Sequence, residues 1–327
     1  MSAYKARLRL DKLPRISIVT PSYNQAAYLE QTIQSVLRQG YPDLEYIIVD
    51  GGSTDGSLEI IRRYADRLAW WVSEKDSGQA EAVNKGMQRA SGEIVGWLNS
   101  DDLYLPGALS GAAAACQAHP QAGLVFSDVE SLDAEGRRIN IMRFGDWGLR
   151  DLMRFRIISE PGVFMRRSVL EKAGRLDCSY HYLLDHHLWL RMALLAPIQY
   201  VHGACWAAAR FHPGAKNVAQ AAAFGAEAYR ILEWMEATLD FQPQLRSVRR
   251  QARAGARRLN AFYLLDGGQP RAALRAYWLA MIQYPPAVLP DWRRILYALF
   301  SPLGLEGLRQ RYLRRRAQKF DKETKSR

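Results

Sequence analysis

The sequence predicts an α/β fold in which a mostly parallel sheet is flanked by helices and followed by a helical C-terminal extension. Between residues 14 and 127, short apolar runs rich in β-branched residues alternate with segments of helical apolar spacing. Such repetition is typical of parallel sheets that helices cover on both faces. Polar clusters follow four of the apolar runs, and ligands of these folds bind at the carboxyl ends of strands. The sequence therefore predicts a ligand site along one edge of the sheet.

Each element of this first part is predicted from its own local pattern. Residues 16–20 form a β-branched run, and residues 26–39 repeat apolar side chains at helical spacing. Ser53 and Thr54 are expected to cap a helix over residues 55–66. The other predicted strands cover residues 44–50, 69–72, 94–98 and 124–127, and the other predicted helices cover residues 79–90 and 106–118.

Beyond residue 127 the pattern is less regular. A helix is predicted over residues 185–195, followed by a buried strand that ends near residue 209. Residues 217–320 have helical patterning throughout. Within them, residues 259–284 predict a helical hairpin that turns at Asp266–Pro270, because Gly and Pro interrupt the pattern there. The C-terminal part is therefore expected to be all-helical.

The composition is that of a protein with an ordinary apolar core, since 48% of its 327 residues are hydrophobic. Cys116, Cys178 and Cys205 are far apart and odd in number, which fits neither a disulfide framework nor a zinc site. We expect them to be reduced core thiols in a cytoplasmic protein. No secretion signal is recognisable, and no apolar run reaches the ~20 residues of a membrane helix.

The net charge of +12 is concentrated at the C-terminal end. Residues 240–327 hold 19 Lys and Arg against 6 Asp and Glu, whereas the preceding part is almost neutral. Excess positive charge in one segment points to an anionic partner, either a membrane surface or nucleic acid. A solvated helical face is the third interpretation, and the composition leaves all three open.

The segment Asn99–Asp102 follows the predicted strand over residues 94–98, so its side chains would project from a strand end. A hard divalent cation that also binds diphosphate oxygens takes one or two carboxylates and keeps several waters. We expect Asp101 to be the metal ligand, with Asp102 beside it, and Asn99 to bind a ribose hydroxyl. An Asx turn uses the same residue types, but the position after a buried strand favours the site.

Asp50 ends the second predicted strand and is followed by a glycine-rich loop. Its carboxylate can accept a hydrogen bond from a nucleobase imide or a ribose hydroxyl, whereas Asp55 is interpreted as a structural turn residue. The loop lacks the Gly-Lys-Ser/Thr of a P-loop and the G-x-G-x-x-G of dinucleotide sites. Asp76 and Gly78 form a third polar cluster, where a nucleotide base could rest.

Asp185 opens a predicted helix, where an acid either complements the helix dipole or serves as a general base toward a hydroxyl acceptor. His186 and His187 titrate near neutrality and are alternative bases, although core packing is commoner for such residues. Arg210 and His212 end the last predicted strand. They could neutralise a diphosphate leaving group, and His212 could complete the metal shell.

Taken together and in order, these segments resemble glycosyltransferase family 2. The resemblance spans about residues 14–216 and is specific because several motifs occur in sequence. The motifs are ISIVTPSYN at 16–24, DGGSTDG at 50–56, SEKDSGQ at 73–79, AVNKG at 82–86, WLNSDDLY at 97–104, EPGVFMRR at 160–167 and DHHLWLR at 185–191.

The resemblance implies a Rossmann-like GT-A fold, an inverting mechanism, a nucleoside-diphosphate sugar donor and a Mg²⁺ or Mn²⁺ cofactor. It implies that Asp185 is the base and that Asp101 binds the metal, and residue chemistry adds Asp102 and His212 to the metal site. The residues expected to contact the nucleotide sugar are Thr20, Pro21, Tyr23, Asp50, Asp76, Gly78, Lys85, Asn99, Ser100, Asp101 and Arg210. Residues 1–216 would form the catalytic domain, with a nucleotide-sugar half over 14–127 and an acceptor half over 128–216, and residues 217–327 would form a basic helical extension.

Two positions depart from the family pattern. The first position of the DXD metal motif is Asn99 instead of Asp, which leaves one fewer carboxylate near the ribose and metal. The acid pair usual at the base position is here Leu184 and Asp185, so that only Asp185 remains. Neither departure removes the residues on which the predicted chemistry depends.

Two other classes of function are weighed against the transferase. A nucleotidyltransferase of the same fold would carry a basic, Gly-rich loop near its N-terminus, and residues 20–25 contain neither Lys nor Arg. A binding protein without turnover could use the basic tail on nucleic acid, but no nucleic-acid motif accompanies it. We prefer an anionic membrane surface, because apolar residues interleave with the charge over residues 305–320. The expected acceptor is a lipid-linked or polysaccharide-precursor glycan, and the expected location is the cytoplasm, on the inner face of the cell membrane.

Overall fold

The structure is a computed structural model that describes residues 13–212, 214 and 220–300. The predicted interfacial segment at 305–320 lies outside these residues. The strands are β1 (Ile16–Ser22), β2 (Leu44–Asp50), β3 (Trp70–Ser73), β4 (Ile94–Trp97), β5 (Leu103–Tyr104), β6 (Leu124–Leu132), β7 (Arg138–Met142), β8 (Val163–Arg166) and β9 (Ile198–Arg210). The helices are α1 (Ala26–Leu37), α2 (Ser57–Arg63), α3 (Gln79–Arg89), α4 (Ala108–Ala118), α5 (Leu149–Met153), α6 (Arg167–Ala173), α7 (Leu184–Leu195), α8 (Ala221–Ala237), α9 (Gln242–Asp266), α10 (Pro270–Gln283) and α11 (Trp292–Phe300).

The strands of the described chain form one mixed sheet in the order β3-β2-β1-β4-β8-β6-β9-β5, with β7 paired to β6. The first four strands in this order, β3, β2, β1 and β4, are parallel to one another, as the βα alternation predicts. Strand β8 then runs antiparallel between β4 and β6, whereas β9 is parallel to β6. The predicted α/β class is confirmed, and parallel pairing is most regular in the N-terminal half.

Both faces of the sheet are buried, each by its own apolar cluster. Successive side chains of a strand point to opposite faces and so contribute to different clusters. Val19 and Val95 belong to one apolar cluster, which includes residues of α3, α7 and α8. Ile18 and Ile94, one position away, belong to the other cluster, which includes residues of α1 and α4. Strand β1 lies between β2 and β4 and is buried along its length. The alternation therefore fixes which helix covers which face.

The C-terminal helices share the core of the sheet domain. Phe224 and Ile231 of α8 and Leu245 of α9 lie in the same apolar cluster as the sheet residues of the α3 side. Helices α9 and α10 form the predicted hairpin, and two small clusters join them to α11. Among the described residues, no helix is both long and apolar enough to cross a membrane. The proposed division at residue 216 stays a prediction, and the core continues across it.

Two local predictions are wrong. Neither Ser53 nor Thr54 caps α2, because its N-cap is Gly56, with a φ of +97° and no side-chain cap. Asp55 supports this turn instead, and its Oδ1 accepts a hydrogen bond from the Ser57 N–H at 3.1 Å. Cys178 is exposed, so of the three cysteines only Cys116 is a fully buried core thiol. The structural interpretation of Asp55 agrees with the observed turn.

Candidate active site

The polar loops after β1, β2, β3 and β4 lie along one edge of the sheet. Parallel register places Ser22 beside Asp50 and Asp50 beside Ser73, at the carboxyl ends of three neighbouring strands. Two backbone hydrogen bonds tie these ends together: Gly51 N–H to the Ser22 carbonyl at 2.8 Å and Glu74 N–H to the Asp50 carbonyl at 3.0 Å. The structure thus brings the predicted clusters to the expected edge.

The carboxylate of Asp50 is fully buried and is occupied by its own loop and by Ser73 of β3. It accepts hydrogen bonds from the Gly52 N–H at 3.1 Å, the Ser53 N–H at 2.9 Å, the Ser53 hydroxyl at 2.5 Å and the Ser73 hydroxyl at 2.7 Å. These contacts shape the glycine-rich loop. Contact between Asp50 and a nucleobase stays a prediction.

Asp76 lies against the same loop. A Cβ at Gly51 would meet the Asp76 Oδ2 at 2.8 Å, so the absence of a side chain at residue 51 makes room for this carboxylate. The Oδ1 of Asp76 accepts the Gly78 N–H at 2.9 Å, and burial raises the pKa of Asp76. Lys85 is held by Glu74, with Nζ to Oε1 at 2.6 Å. Of the residues predicted to contact the nucleotide sugar, Asp76 is therefore partly buried and Lys85 is paired with an acid.

The other residues predicted to contact the donor differ in their access to solvent. Thr20 and Pro21 are buried in β1, whereas the side chain of Tyr23 is 62% exposed just beyond the strand. Ser100 is also buried, and its carbonyl accepts the Thr32 hydroxyl at 2.9 Å. Tyr23 is thus the member of this group that presents a large side chain at the surface of the edge.

Asp101 and His212 meet although 111 residues separate them. The Nε2 of His212 lies 3.0 Å from the Oδ2 of Asp101, and the imidazole packs on Tyr28 at 4.7 Å between ring centroids. Asp102 is more deeply buried, and its Oδ1 accepts the Arg210 N–H at 2.9 Å. Burial and the adjacent charge of Asp101 hold the pKa of Asp102 well above its ordinary value. Asp101 is therefore the more accessible carboxylate.

The guanidinium of Arg210 is buried and already has partners. It donates from Nε to the Asp101 carbonyl at 3.0 Å and from Nη2 to the Gln31 side chain at 2.9 Å, and it lies over the Tyr28 ring at 4.8 Å. These contacts fasten the Asn99–Asp102 segment to the end of β9. A contact with a diphosphate stays a prediction for this residue.

Asn99 sits in a network that only an amide can complete. Its Oδ1 accepts from Gln79 at 2.6 Å and from Trp97 Nε1 at 2.8 Å, while its Nδ2 donates to Glu160 Oε2 at 2.8 Å. Glu160 is 6% exposed, and its Oε1 has no partner in the described structure. The Asn99 amide thus accepts from two donors and donates to a buried acid at the position where the family pattern has Asp.

Asp185 opens α7, and its Oδ1 accepts the N–H of His186 at 2.7 Å. Burial raises its pKa to about 7, and the charge of Glu227 acts in the same direction. The charges of Asp102, Asp185 and Asp101 in turn raise the pKa of Glu160, after burial itself, which places all four acids in one electrostatic neighbourhood. The predicted base and the predicted metal ligand therefore both lie near Glu160.

The two histidines beside Asp185 are core residues. His186 is fully buried and His187 is 5% exposed, and the ring nitrogens of both have no hydrogen-bond partner in the described structure. Burial lowers the pKa of His186 to about 3 and that of His187 to about 4. His187 packs against Trp234 of α8 at 4.3 Å between ring centroids. Core packing is confirmed, and neither imidazole reaches the site edge.

A divalent cation fits the pair Asp101 and His212. No group of three His, Cys, Asp or Glu side chains with metal-binding geometry occurs within the described ranges. Mg²⁺ sites in nucleotide enzymes commonly use one or two protein ligands and take the rest from phosphate oxygens and water. The close approach of a carboxylate and an imidazole at the strand ends provides such a partial set.

Similarity to known proteins identifies the family. A family model described as "Glycosyl transferase family 2" matches residues 17–174. The PGL/p-HBAD biosynthesis glycosyltransferase of Mycobacterium bovis (strain BCG / Pasteur 1173P2) is 33% identical over 176 residues, which are 53% of this chain and 67% of that relative. The chain belongs to glycosyltransferase family 2. The resemblance predicted from the motifs is confirmed, and the protein is a glycosyltransferase.

Two further comparisons define the extent of the likeness. The O-antigen biosynthesis protein RfbC of Myxococcus xanthus is 32% identical over 197 residues, which are 59% of this glycosyltransferase but 15% of that relative. The mannosyltransferase PcManGT from Pyrobaculum calidifontis, solved in complex with GDP-Man and Mn²⁺, superimposes with a TM-score of 0.60 at 24% identity. That alignment covers 94% of this chain and 87% of the other. It confirms the GT-A fold class.

The structure adds two acids that residue patterns did not single out. Glu160 of the glycosyltransferase stands in a recognised family block, but its burial against Asn99 depends on the pairing of β4 with β8. Glu227 lies in α8, outside the family resemblance, and reaches the segment before Asp185. The sequence carried no local signal for Glu227, because its contacts are with residues 44 to 46 positions earlier.

Proposed function

We propose that this glycosyltransferase moves a sugar, with inversion, from a nucleoside-diphosphate sugar to a hydroxyl group of a lipid-linked or polysaccharide-precursor glycan. The proposal rests on one observation. Glu160 accepts a hydrogen bond from Asn99 at the carboxyl edge of the sheet and feels the charges of both Asp101 and Asp185, and the pKa of Asp185 is itself raised to about 7. A base whose pKa lies near the working pH combines the ionised form with a useful driving force for proton transfer.

The donor side of the proposed reaction uses the edge between β1 and β4. Asp101 and His212 would hold the divalent cation, which when bound would stabilise negative charge on the departing diphosphate. Arg210 and Asp102 keep the Asn99–Asp102 segment in place through the buried hydrogen bonds described above. The exposed ring of Tyr23 is proposed to lie against the nucleotide.

The acceptor side uses Asp185. Its carboxylate would take the proton of the acceptor hydroxyl as the oxygen attacks the anomeric carbon from the face opposite the diphosphate. The bond from that carbon to the diphosphate oxygen breaks in the same displacement, so the configuration inverts and no covalent enzyme intermediate forms. Because Asp185 is ionised above a pH of about 7, the rate should rise with pH through that value.

Donor hydrolysis tests the proposed reaction without knowledge of the acceptor. The protein is incubated with UDP-, GDP- and dTDP-sugars, with Mn²⁺ or with EDTA, beside the variant Asp101→Ala. Metal-dependent release of one nucleoside diphosphate, lost in the variant, would support the proposal and identify the donor. Nucleotide binding without release, in the presence of an acceptor extract, would favour a binding protein of this fold.

The acceptor class is proposed from the relatives. The names of two relatives refer to the biosynthesis of O-antigen and of PGL/p-HBAD. We propose the same broad class here, with acceptor contacts in the half over residues 128–216.

A peripheral position on an anionic membrane, on its cytoplasmic side, is proposed for the C-terminal region. Apolar side chains are exposed at helical spacing on α10 and on α11, the two helices that precede the basic segment over residues 301–327. These exposed apolar side chains are Trp278, Leu279, Ile282, Trp292, Leu296, Leu299 and Phe300. Exposed aromatic and aliphatic residues beside excess positive charge are typical of segments that lie at lipid interfaces.

Vesicle flotation tests this position. The full chain should float with vesicles containing phosphatidylglycerol and remain below with phosphatidylcholine alone. Changing Trp278 and Trp292 to Ser, or deleting residues 301–327, should each weaken flotation, because one removes apolar contacts and the other removes charge. If flotation does not depend on phosphatidylglycerol and the protein elutes as a dimer, these exposed apolar side chains serve self-association instead.

A further inference from the structure

The segment that leads into α7 is held by a single carboxylate from α8. Glu227 accepts hydrogen bonds from three consecutive backbone N–H groups, at 2.6 Å from His181, 2.8 Å from Tyr182 and 2.8 Å from Leu183. The Glu227 residue is 4% exposed. A buried carboxylate that meets three donors at these distances forms a strong, charge-assisted contact.

Helix α7 begins directly after this contact. Its N-cap residue, Leu183, makes no side-chain cap hydrogen bond, and within the first turn the Asp185 carboxylate accepts the His186 N–H. The first N–H groups of a helix lack partners within the helix, and a negative charge near them is favourable. Glu227 therefore holds the backbone that leads into α7, up to its N-cap residue, and places a negative charge beside the start of the helix.

A second residue of α8 holds the preceding part of the same segment. Arg230, one turn after Glu227, donates to the Ser179 carbonyl at 3.0 Å and to the Ser179 hydroxyl at 2.9 Å. Its guanidinium also lies over the Tyr180 ring at 4.5 Å from the centroid. Helix α8 thus contacts every residue from 179 to 183, immediately before the proposed base.

We infer that Glu227 is a positioning residue for the transfer reaction, which fixes the start of α7 so that the Asp185 carboxylate meets the acceptor hydroxyl. This inference rests on the proposed role of Asp185 and gives the helical extension a part in catalysis. Asp185 is two residues beyond the last N–H that Glu227 accepts, so a shift of this segment moves the carboxylate directly. Displacement of a reacting group by about 1 Å can cost about 100-fold in rate.

Glu227 also acts on Asp185 through its charge. Burial is the main reason that the Asp185 pKa is raised, and the negative charge of Glu227 adds to it. Two further groups face Asp185 from other elements: Glu160 from the turn before β8, and Tyr263 from α9. Removing the Glu227 charge should therefore lower the Asp185 pKa, while the larger effect of burial remains.

The variant Glu227→Gln tests the inference. The Gln carbonyl can still accept two of the three N–H groups, whereas its NH₂ group replaces the other acceptor and the charge is lost. The matched control is Glu233→Gln, on the exposed side of the same helix. The full chain is assayed with Mn²⁺ and with UDP-GlcNAc or GDP-mannose, whichever the wild type turns over, and hydrogen exchange is followed at the amides of residues 181–183.

Three results are expected of Glu227→Gln. The kcat falls about tenfold with the donor KM within about twofold, because the change acts on a reacting group and not on donor binding. The acidic limb of the kcat profile moves to lower pH by about half a unit, since a like charge is removed. Amide exchange at residues 181–183 becomes faster. In the background of Asp185→Asn, the same change should have little further effect on kcat, because both act through one group.

Each contrary result has a definite meaning. If Glu227→Gln matches Glu233→Gln in kcat and in pH profile while Asp185→Asn is inactive, the positioning role is wrong and the base assignment stands. If Asp185→Asn is as active as the wild type, the proposed base is wrong and the positioning role falls with it. If the two changes multiply in the double variant, Glu227 acts on the reaction independently of Asp185, which also overturns the inference.

Discussion

Replacing Asp185 by Asn should make the protein more stable and far less active. The Asn side chain keeps the acceptor for the His186 N–H but cannot ionise. In the folded protein the Asp185 pKa is raised from 3.8 to about 7, mainly by burial. The folded state therefore binds this proton more tightly than the unfolded chain, and its stability falls as the pH rises from about 4 to about 7.

The magnitude follows from that pair of values. Each pH unit between them corresponds to about 1.36 kcal/mol, so an ionised Asp185 costs the folded state up to about 4 kcal/mol above pH 8. Asp185→Asn removes this cost. Its advantage in unfolding free energy over the wild type should widen by roughly 3 kcal/mol between pH 5 and pH 9. The kcat should fall by about 100- to 10,000-fold, as expected for loss of a general base.

Urea unfolding at pH 5 and pH 9, followed by circular dichroism, measures the first effect, and release of nucleoside diphosphate measures the second. Asp240→Asn, at an exposed position, is the control and should show no pH-dependent gap. If the difference in unfolding free energy between Asp185→Asn and the wild type is the same at the two pH values, the raised pKa of Asp185 is refuted. A stable variant that retains full turnover would refute the base assignment.

Three other results are expected. His212→Ala should raise the Mn²⁺ concentration for half-maximal donor hydrolysis at least about tenfold, because Asp101 would be left as the single protein ligand of the pair, and a metal titration measures this. Asn99→Asp should destabilise the fold by about 1–3 kcal/mol at pH 8, since it opposes the buried Glu160, and Glu160→Gln should restore the urea midpoint in the double variant. Gly255→Ala should cost about 1–3 kcal/mol in unfolding free energy, because a Cβ there would overlap a backbone carbonyl oxygen beside α5, whereas Gly148→Ala, with open space, should cost less.

Much of the N-terminal fold could be predicted because its signals are local. The strand over Leu44–Asp50 was predicted to the residue, and α3 ends within one residue of its expected boundary. Burial on both faces of a parallel sheet leaves continuous β-branched runs, which are distinct from the spacing of helices. The N-cap of α2 is Gly56 in a left-handed conformation. A glycine has no side chain that could cap the helix, so the usual signature of Ser, Thr, Asp or Asn is absent at this position.

The sequence alone determined the family, the α/β class and the order of the polar segments along the chain. It could not determine which of those polar groups are free, since that depends on partners far away in sequence. Asp50 accepts a hydrogen bond from Ser73 of the next strand, Arg210 is bound to the Asp101 backbone, and Asp101 meets His212 across 111 residues. The tertiary structure alone decided these pairings, together with the burial that raises the Asp185 pKa and the approach of Glu227 from α8. The physical reason is that desolvation and hydrogen-bond satisfaction depend on everything packed around a group, whereas a motif records only its neighbours along the chain.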